Sequence, residues 1–116
     1  MIRRLSEQST QIIPNSHGGE GSITLRRLLT GEEEMNKKGW LFAVITLGAD
    51  DTVGYHVHEN DNETIYVISG TGEVNDNGTV SSFGVGDVLC TAAGEGHQLK
   101  NTGNEPLELV SMILYN

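Results

Sequence analysis

Short runs of β-branched and aliphatic residues recur along this chain, and glycine-rich turns separate nearly all of them. Runs of this kind favour strands, because a helical chain would show longer segments with an apolar residue at every third or fourth position. The fifteen glycines strengthen this interpretation, since tight turns between strands need backbone angles that other residues avoid. The clearest predicted strands are Ile23–Leu29, Trp40–Leu47, Glu63–Ser69, Gly86–Ala92, His97–Asn101 and Leu107–Tyr115.

A tight hairpin is predicted at Asn77-Gly78, because this dipeptide accepts the positive φ angles of a two-residue turn. It would join a strand at Glu73–Asn75 to a strand at Thr79–Ser82. Roughly six to eight short strands are too many for one open sheet in a chain of this size. The sequence therefore predicts an all-β fold, a small jelly-roll barrel or two-sheet sandwich, whose lumen is lined by every second side chain.

The N-terminal part of the chain carries the weakest structural signal, because residues 1–20 are mostly polar. The acidic run Glu32–Glu34 could open a short helix, since acids favour a helix N-terminus, or it could form a solvated loop. We expect residues 1–35 to contribute edge strands and residues 36–116 to form the barrel, within a single domain.

The charge balance disfavours two classes of partner. Sixteen acidic residues against seven basic ones give a formal net charge of −9. Nucleic acids and anionic membranes both attract concentrated basic surfaces, so neither is expected as a partner. No apolar run approaches the length of a membrane-spanning helix, and the N-terminus does not resemble a secretory signal. With one cysteine, Cys90, an internal disulfide is impossible, and we expect a cytoplasmic protein.

Three histidines and one glutamate indicate a metal site. His56 and His58 are two residues apart, so on an extended strand both rings leave the same face and can reach one point. Glu63 begins the next predicted strand, where a hairpin return would bring its carboxylate beside the two imidazoles. His97 opens a later strand after a glycine-rich turn. Taken singly, each is more ordinary as a surface or turn residue, and we expect Glu59 and Asp61 to be solvated acids. Together they suit a divalent first-row metal.

The two motifs that hold these residues resemble those of the cupin superfamily. The first reads His56-x-His58-x4-Glu63-x6-Gly70, and the second reads Gly86-x5-Ala92-x-Gly94-x2-His97-x3-Asn101. Asp50 stands where the first motif of the family has its leading glycine, and Ala92 stands where the second has a proline. Neither departure touches a ligand position. The resemblance covers about residues 40–115.

The resemblance implies a jelly-roll barrel, also called a double-stranded β-helix, that holds one divalent metal per chain. The metal would be Mn, Fe, Ni, Co or Zn, with His56, His58, Glu63 and His97 as its ligands. Gly70, Gly86, Gly94 and Asn101 would be scaffold positions.

A substrate with negative charge would need a cation near the metal. Alternation along the strand from Ile23 and Leu25 points Arg27 into the lumen, although Arg26 and Arg27 could instead both lie at a strand edge or subunit boundary. By the same argument Lys100 faces outward. His17 lies outside both motifs, and we assign it to a loop away from the site.

Two apolar residues are predicted on the outer surface. Tyr66 and Ile68 lie on the strand face opposite to Glu63, and exposed on a monomer they would form an apolar patch. We therefore predict a homodimer, which agrees with the frequent dimers among small cupins. Cys90 shares a strand face with Val88 and is predicted to be a small buried hydrophobic residue.

Single-domain cupins, the family that this chain resembles, include dioxygenases, oxalate-decarboxylase-like enzymes, sugar isomerases and plain ligand binders, and the fold does not choose among them. Our hypothesis is a metalloenzyme of the dioxygenase, decarboxylase or isomerase type that acts on a small oxygen-rich organic acid or sugar. In it Glu63 would leave the metal and act as a base. The alternative is a metal-dependent binding or sensing module without turnover. It is less favoured because the sequence shows no partner domain to receive a binding signal.

Overall fold

The computed structural model describes residues 1–116 and consists of ten β-strands joined by turns. Its only helices are two three-residue 3-10 turns, Leu5–Glu7 and Ser16–Gly18, and neither is long or apolar enough to cross a membrane. The strands are β1 (Thr10–Pro14), β2 (Ser22–Arg27), β3 (Gly39–Leu47), β4 (Thr52–Val57), β5 (Asp61–Ser69), β6 (Thr71–Asp76), β7 (Thr79–Gly84), β8 (Val88–Thr91), β9 (Gly96–Asn101) and β10 (Leu107–Tyr115).

The strands form two antiparallel sheets that face each other, which is the predicted all-β jelly-roll barrel. The six-stranded sheet has the order β1-β2-β3-β10-β5-β8, and the four-stranded sheet has the order β4-β9-β6-β7. Inward side chains from both sheets pack into one apolar core, as alternation along each strand requires. Its fully buried members include Ala43, Leu47, Val67, Leu107 and Leu109.

Strand β5 shows the alternation clearly. Glu63, Ile65 and Val67 are buried, whereas Tyr66 and Ile68 are 46% and 41% exposed, so both apolar side chains lie outside the barrel as predicted.

The prediction for Cys90 is wrong, because this residue is exposed together with Val88. The pairing of β8 with β5 explains the difference. Thr91 lies opposite Glu63, and Leu89 lies opposite Ile65, so these two β8 residues share the inward face. The face that Cys90 shares with Val88 is therefore the outer one.

The N-terminal residues form more structure than their composition indicates. β1 pairs with β2 at the edge of the six-stranded sheet, and its residues are mostly exposed. Glu32–Glu34 form turns rather than a helix, so the loop alternative holds. Glu34 is nevertheless fixed, because its carboxylate accepts hydrogen bonds from the Arg3 guanidinium at 2.7 and 2.8 Å and from the Thr30 backbone N–H.

One predicted turn and one predicted scaffold residue are found where the sequence indicated them. Asn77 and Gly78, with φ angles of 49° and 101°, join β6 to β7 as predicted. Asn101 at the end of β9 is fully buried, and its amide donates hydrogen bonds to the carbonyls of Leu47 and Glu105. This amide ties β9 to the loop that leads into β10.

Candidate metal centre

The barrel brings the four predicted ligands together at one end of its lumen. His56 on β4 lies directly opposite His97 on β9, within the four-stranded sheet. His58 follows the end of β4, and Glu63 lies near the start of β5 in the other sheet. One donor atom from each residue can be chosen so that all four lie within 4.8 Å of one another.

The route by which Glu63 reaches the histidines differs from the prediction of a hairpin return. β4 pairs only with β9, and β5 pairs with β10 and β8, so β4 and β5 belong to different sheets. The chain crosses the barrel between His58 and Asp61. Glu63 therefore faces the imidazoles across the lumen and not from a neighbouring strand.

Each of the three imidazoles has its Nδ1 atom occupied by an oxygen of the chain. His56 Nδ1 donates to the Gly54 carbonyl at 2.8 Å, and His58 Nδ1 donates to the Asp61 carboxylate at 2.9 Å. His97 Nδ1 pairs with the Thr91 hydroxyl at 2.7 Å. Such partners fix the orientation of an imidazole and leave Nε2 for another contact.

Glu63 is buried and carries negative charge. Its Oε1 lies 3.0 Å from His58 Nε2 and 3.1 Å from His97 Nε2, and its Oε2 accepts a hydrogen bond from the Ser111 hydroxyl. Burial alone would raise the pKa of Glu63. The contacts with His58, His97 and Ser111 outweigh burial, so the pKa of this carboxyl lies below its ordinary value.

The surroundings of His58 test whether a metal fits. The Nδ1–H of His58 donates a hydrogen bond to the Asp61 carboxylate. If the ring were neutral, its Nε2 atom would carry a lone pair facing the Glu63 carboxylate, and these two acceptors would repel each other. Positive charge is required between them, either as a second proton on His58 or as a metal ion. In the absence of metal, the hydrogen bond with Glu63 raises the pKa of His58 despite its burial.

The spacing of the donor atoms also fits a metal. Bonds of about 2.0–2.2 Å place two ligands of one ion no more than about 4.4 Å apart. Small side-chain adjustments therefore bring the four donors, now within 4.8 Å, to the size of one coordination sphere. The residues present fit a divalent ion.

His17 lies at this site, so its assignment to a distant loop is wrong. The loop between β1 and β2 places its ring parallel to that of His56, with centroids 3.6 Å apart and an angle of 9° between the planes. Burial lowers the pKa of His17, and burial also lowers the pKa of His56 to about 4. No regular spacing in the sequence relates His17 to the other histidines, so only the folded loop reveals it.

Asp61 also contacts the site, so the prediction of a solvated acid is wrong for this residue. It is half-buried, and its carboxylate accepts hydrogen bonds from His58 Nδ1 at 2.9 Å and from Trp40 Nε1 at 3.0 Å. Ser111 and Thr91, which contact Glu63 and His97, are fully buried and were not anticipated. Ser111 offered a signal, because it is polar whereas the other inward residues of β10, Leu107, Leu109 and Ile113, are aliphatic.

A cavity of about 490 Å³ opens onto the four residues. Arg27 lines it, which is the inward orientation that alternation predicted, and Lys100 is exposed, also as predicted. The rest of the wall is largely aliphatic and includes Ile23, Leu25, Ile45, Leu99 and Ile113.

Comparisons with known proteins agree with the architecture. Residues 43–113 match the family model described as a cupin domain. The chain is 39% identical over 114 residues, 98% of this chain and 93% of the relative, to a Thermotoga maritima protein called oxalate-binding protein.

Solved structures show the same similarity. A Thermotoga maritima crystal structure described as a predicted oxalate decarboxylase matches with a TM-score of 0.95 and 38% identity over 100% of both chains. A cupin-2 domain from Rhodospirillum rubrum matches in fold, with a TM-score of 0.80 at 16% identity over 100% of this chain and 75% of the other. With its own residues 43–113 matched and a relative at 39% identity, this chain belongs to the cupin domain family.

Proposed function

We propose that this chain binds one divalent first-row metal through His56, His58, Glu63 and His97, and that the loaded centre holds a small carboxylate by two neighbouring oxygens. Oxalate is the simplest such ligand. The observation that carries the proposal is the arrangement of three imidazoles whose Nδ1 atoms are occupied by chain oxygens. The remaining nitrogens of His58 and His97 contact the buried carboxylate of Glu63, and a donor atom of His56 lies within 4.8 Å of the other three. The similarity to a protein called oxalate-binding protein supports the choice of ligand.

The donor set favours a first-row metal that accepts nitrogen and oxygen ligands, namely Mn, Fe, Co, Ni or Zn. When bound, such an ion would polarise the oxygens of a carboxylate ligand. The chain's own residues supply the rest of the environment. Asp61, Gly54 and Thr91 orient the imidazoles, and Ser111 holds the second oxygen of Glu63.

Arg27 is proposed as the cation that faces a negatively charged ligand. It lies opposite Ala43 on β3, and Ala43 lies opposite Ser111 on β10. Two strand spacings of about 4.8 Å separate the backbones of Arg27 and Ser111 by roughly 10 Å. The small side chain of Ala43, which lies between them, leaves space for the long side chain of Arg27 to extend towards Ser111. Arg27 takes part in none of the ion pairs within the chain.

The cavity has room for ligands larger than oxalate. Its volume of about 490 Å³ lies within the range of roughly 300–1,000 Å³ that is usual for small-molecule sites. Small hydroxy acids, 2-oxo acids and sugars with two adjacent oxygens therefore belong to the ligand class.

Turnover is the second candidate, and the similarity to a structure described as a predicted oxalate decarboxylase favours it. Cleavage of the carbon–carbon bond of oxalate would yield carbon dioxide and, after uptake of one proton at the other carbon, formate. Glu63 would have to leave its contacts with His58, His97 and Ser111 to act as a base. Because these contacts hold the pKa of Glu63 low, they make it a weak base in its present position.

The decisive experiment measures metal content and ligand affinity together. We expect about one metal per chain in the native protein, oxalate binding by calorimetry only in loaded protein, and a melting temperature that falls when a chelator removes the metal. A His58→Ala/His97→Ala double variant should lose both metal and oxalate binding. Lys100→Ala is the matched control, because Lys100 is exposed on the same strand as His97.

Equal metal content in the double variant and the wild type would refute the metal assignment. To decide between binding and turnover, formate and carbon dioxide are measured with Mn-, Fe-, Co-, Ni- and Zn-loaded protein, with and without dioxygen. Oxalate binding without product under every condition would identify a binding module. If product forms, a Glu63→Gln variant that keeps its metal should lose turnover far more than oxalate affinity.

A further inference from the structure

His17 lies in the wall of the cavity in an unusual backbone conformation. It lies in the 3-10 turn Ser16–Gly18 with φ 50°, and the preceding Asn15 has φ 48°, angles that are uncommon for residues other than glycine. Such strain persists where the surrounding structure determines the conformation, and it clusters at functional sites.

The glycines opposite this turn show why the loop can approach β4 so closely. A Cβ atom on Gly54 would lie 2.1 Å from the His17 carbonyl oxygen, and one on Gly19 would lie 2.4 Å from the Thr52 carbonyl oxygen. Thr52 also accepts a hydrogen bond from the Glu20 N–H and donates its own N–H to the Glu20 carbonyl. The loop is therefore packed against β4 at His17 and at the residues that follow it, Gly19 and Glu20.

The stacked geometry excludes His17 from the set of metal ligands. The lone pair of an imidazole nitrogen lies in the plane of its ring, so two parallel rings direct their lone pairs along lines that do not meet. The ring of His17 is tilted by only 9° from that of His56 at 3.6 Å. By contrast, His56, His58 and His97 are inclined to one another by 59° to 83°, and their nitrogens can converge.

His17 remains available as a hydrogen-bond donor. His56, His58 and His97 each use Nδ1 for a chain oxygen, whereas His17 has no such partner for either ring nitrogen. An imidazole keeps at least one N–H in either protonation state. His17 is exposed and also lines the cavity beside His56, so a ligand bound there can accept this hydrogen bond in place of water.

We propose that His17 donates a hydrogen bond to a ligand oxygen that is not one of the two chelating oxygens, and so selects acids that carry such an additional acceptor. This inference rests on the proposed function and narrows its ligand class. Oxalate has two further oxygens after chelation. Acetohydroxamate also chelates through two neighbouring oxygens but has no third oxygen, and it serves as the matched probe.

The test compares wild type, His17→Ala and His17→Phe. For each protein, metal content is measured, and calorimetry on the metal-loaded protein gives the affinities for oxalate and acetohydroxamate. The phenylalanine variant keeps an aromatic ring against His56 but has no N–H, so it separates stacking from donation. Hydrogen bonds to charged groups are worth roughly 10- to 100-fold in affinity. We expect both variants to keep full metal content, to bind oxalate about 10-fold or more weakly, and to bind acetohydroxamate as the wild type does.

Three results would overturn the inference. Loss of metal in His17→Phe would make His17 a ligand or a support of the centre. Equal weakening of both probes would show a general effect on the cavity, and unchanged oxalate affinity would leave His17 without a contact. A wild type that holds metal but binds neither probe would instead refute the proposed function, so the two failures are distinguishable.

Discussion

Replacing Ser111 with alanine tests how strongly the barrel depends on the buried charge of Glu63. Ser111 is fully buried, and its hydroxyl is the donor to Glu63 Oε2, while Glu63 itself is 6% exposed. The variant removes one oxygen atom and leaves almost no cavity. The main effect is that a buried carboxylate oxygen loses its donor, which costs about 1.5–3 kcal/mol for a hydrogen bond to a charged group.

This loss should be visible in the metal-free protein. For a chain of this length, 1 kcal/mol corresponds to about 4 °C in melting temperature, so we expect Ser111→Ala to melt about 6–12 °C lower. Urea unfolding followed by circular dichroism, with a chelator present, gives the free energy directly. Ser82→Ala, at an exposed position of β7, is the control and should change stability by less than about 0.5 kcal/mol.

A double-mutant cycle isolates the charge. In a Glu63→Gln background the partner of Ser111 is neutral, so the same serine substitution should cost only about 0.5–1.5 kcal/mol. An equal cost in both backgrounds, or a cost below about 0.5 kcal/mol in the wild-type background, would refute the argument that Ser111 stabilises a buried charge.

Three further predictions concern other contacts. Asp61→Asn should weaken metal binding about 10- to 100-fold by calorimetry, because it weakens the acceptor that orients His58, whereas Glu59→Gln, a change at an exposed neighbour, should not. The pKa of Glu34 is lowered to about 2 by its hydrogen bond with Arg3, so the pair stabilises the fold above pH 4.5 and loses this effect as the pH falls towards 2. The stability difference between wild type and Arg3→Met should shrink over that range, and a constant difference would contradict it. Light scattering should show that the 12.5 kDa chain forms a dimer, with the N-terminal strand taking part in the contact, and that Tyr66→Lys weakens this dimer. A monomeric wild type would remove our explanation for the exposed apolar sheet face.

The features that were predicted correctly from the sequence depend on residues that are close to one another along the chain. Alternation along a strand placed Arg27 in the lumen and Tyr66 outside it, because the side-chain period of a strand is local. The hairpin at Asn77-Gly78 followed from two residues with special backbone angles. The four residues of the candidate centre were found through the spacing within two short motifs.

The parts that were missed depend on pairing between distant segments. Glu63 reaches the histidines from the other sheet, which nothing in its spacing from His58 reveals. The outward face of Cys90 follows from the register of β8 against β5. His17 and Asp61 each meet the site through one tertiary contact, a stacked ring and a shared hydrogen bond, so no periodic pattern marks them.

The position of β10 sets the order in which the barrel can form during synthesis. β10 is the last strand in chain order, yet it lies in the middle of the six-stranded sheet, paired with β3 on one side and β5 on the other. Until residues 107–115 have left the ribosome, β3 and β5 have open inner edges and cannot be joined. Exposed edges of this kind invite pairing with other chains, and such distant pairings also form slowly. The growing chain is therefore most vulnerable to aggregation just before its last strand emerges, and shielding of these edges by a chaperone would matter most at that stage.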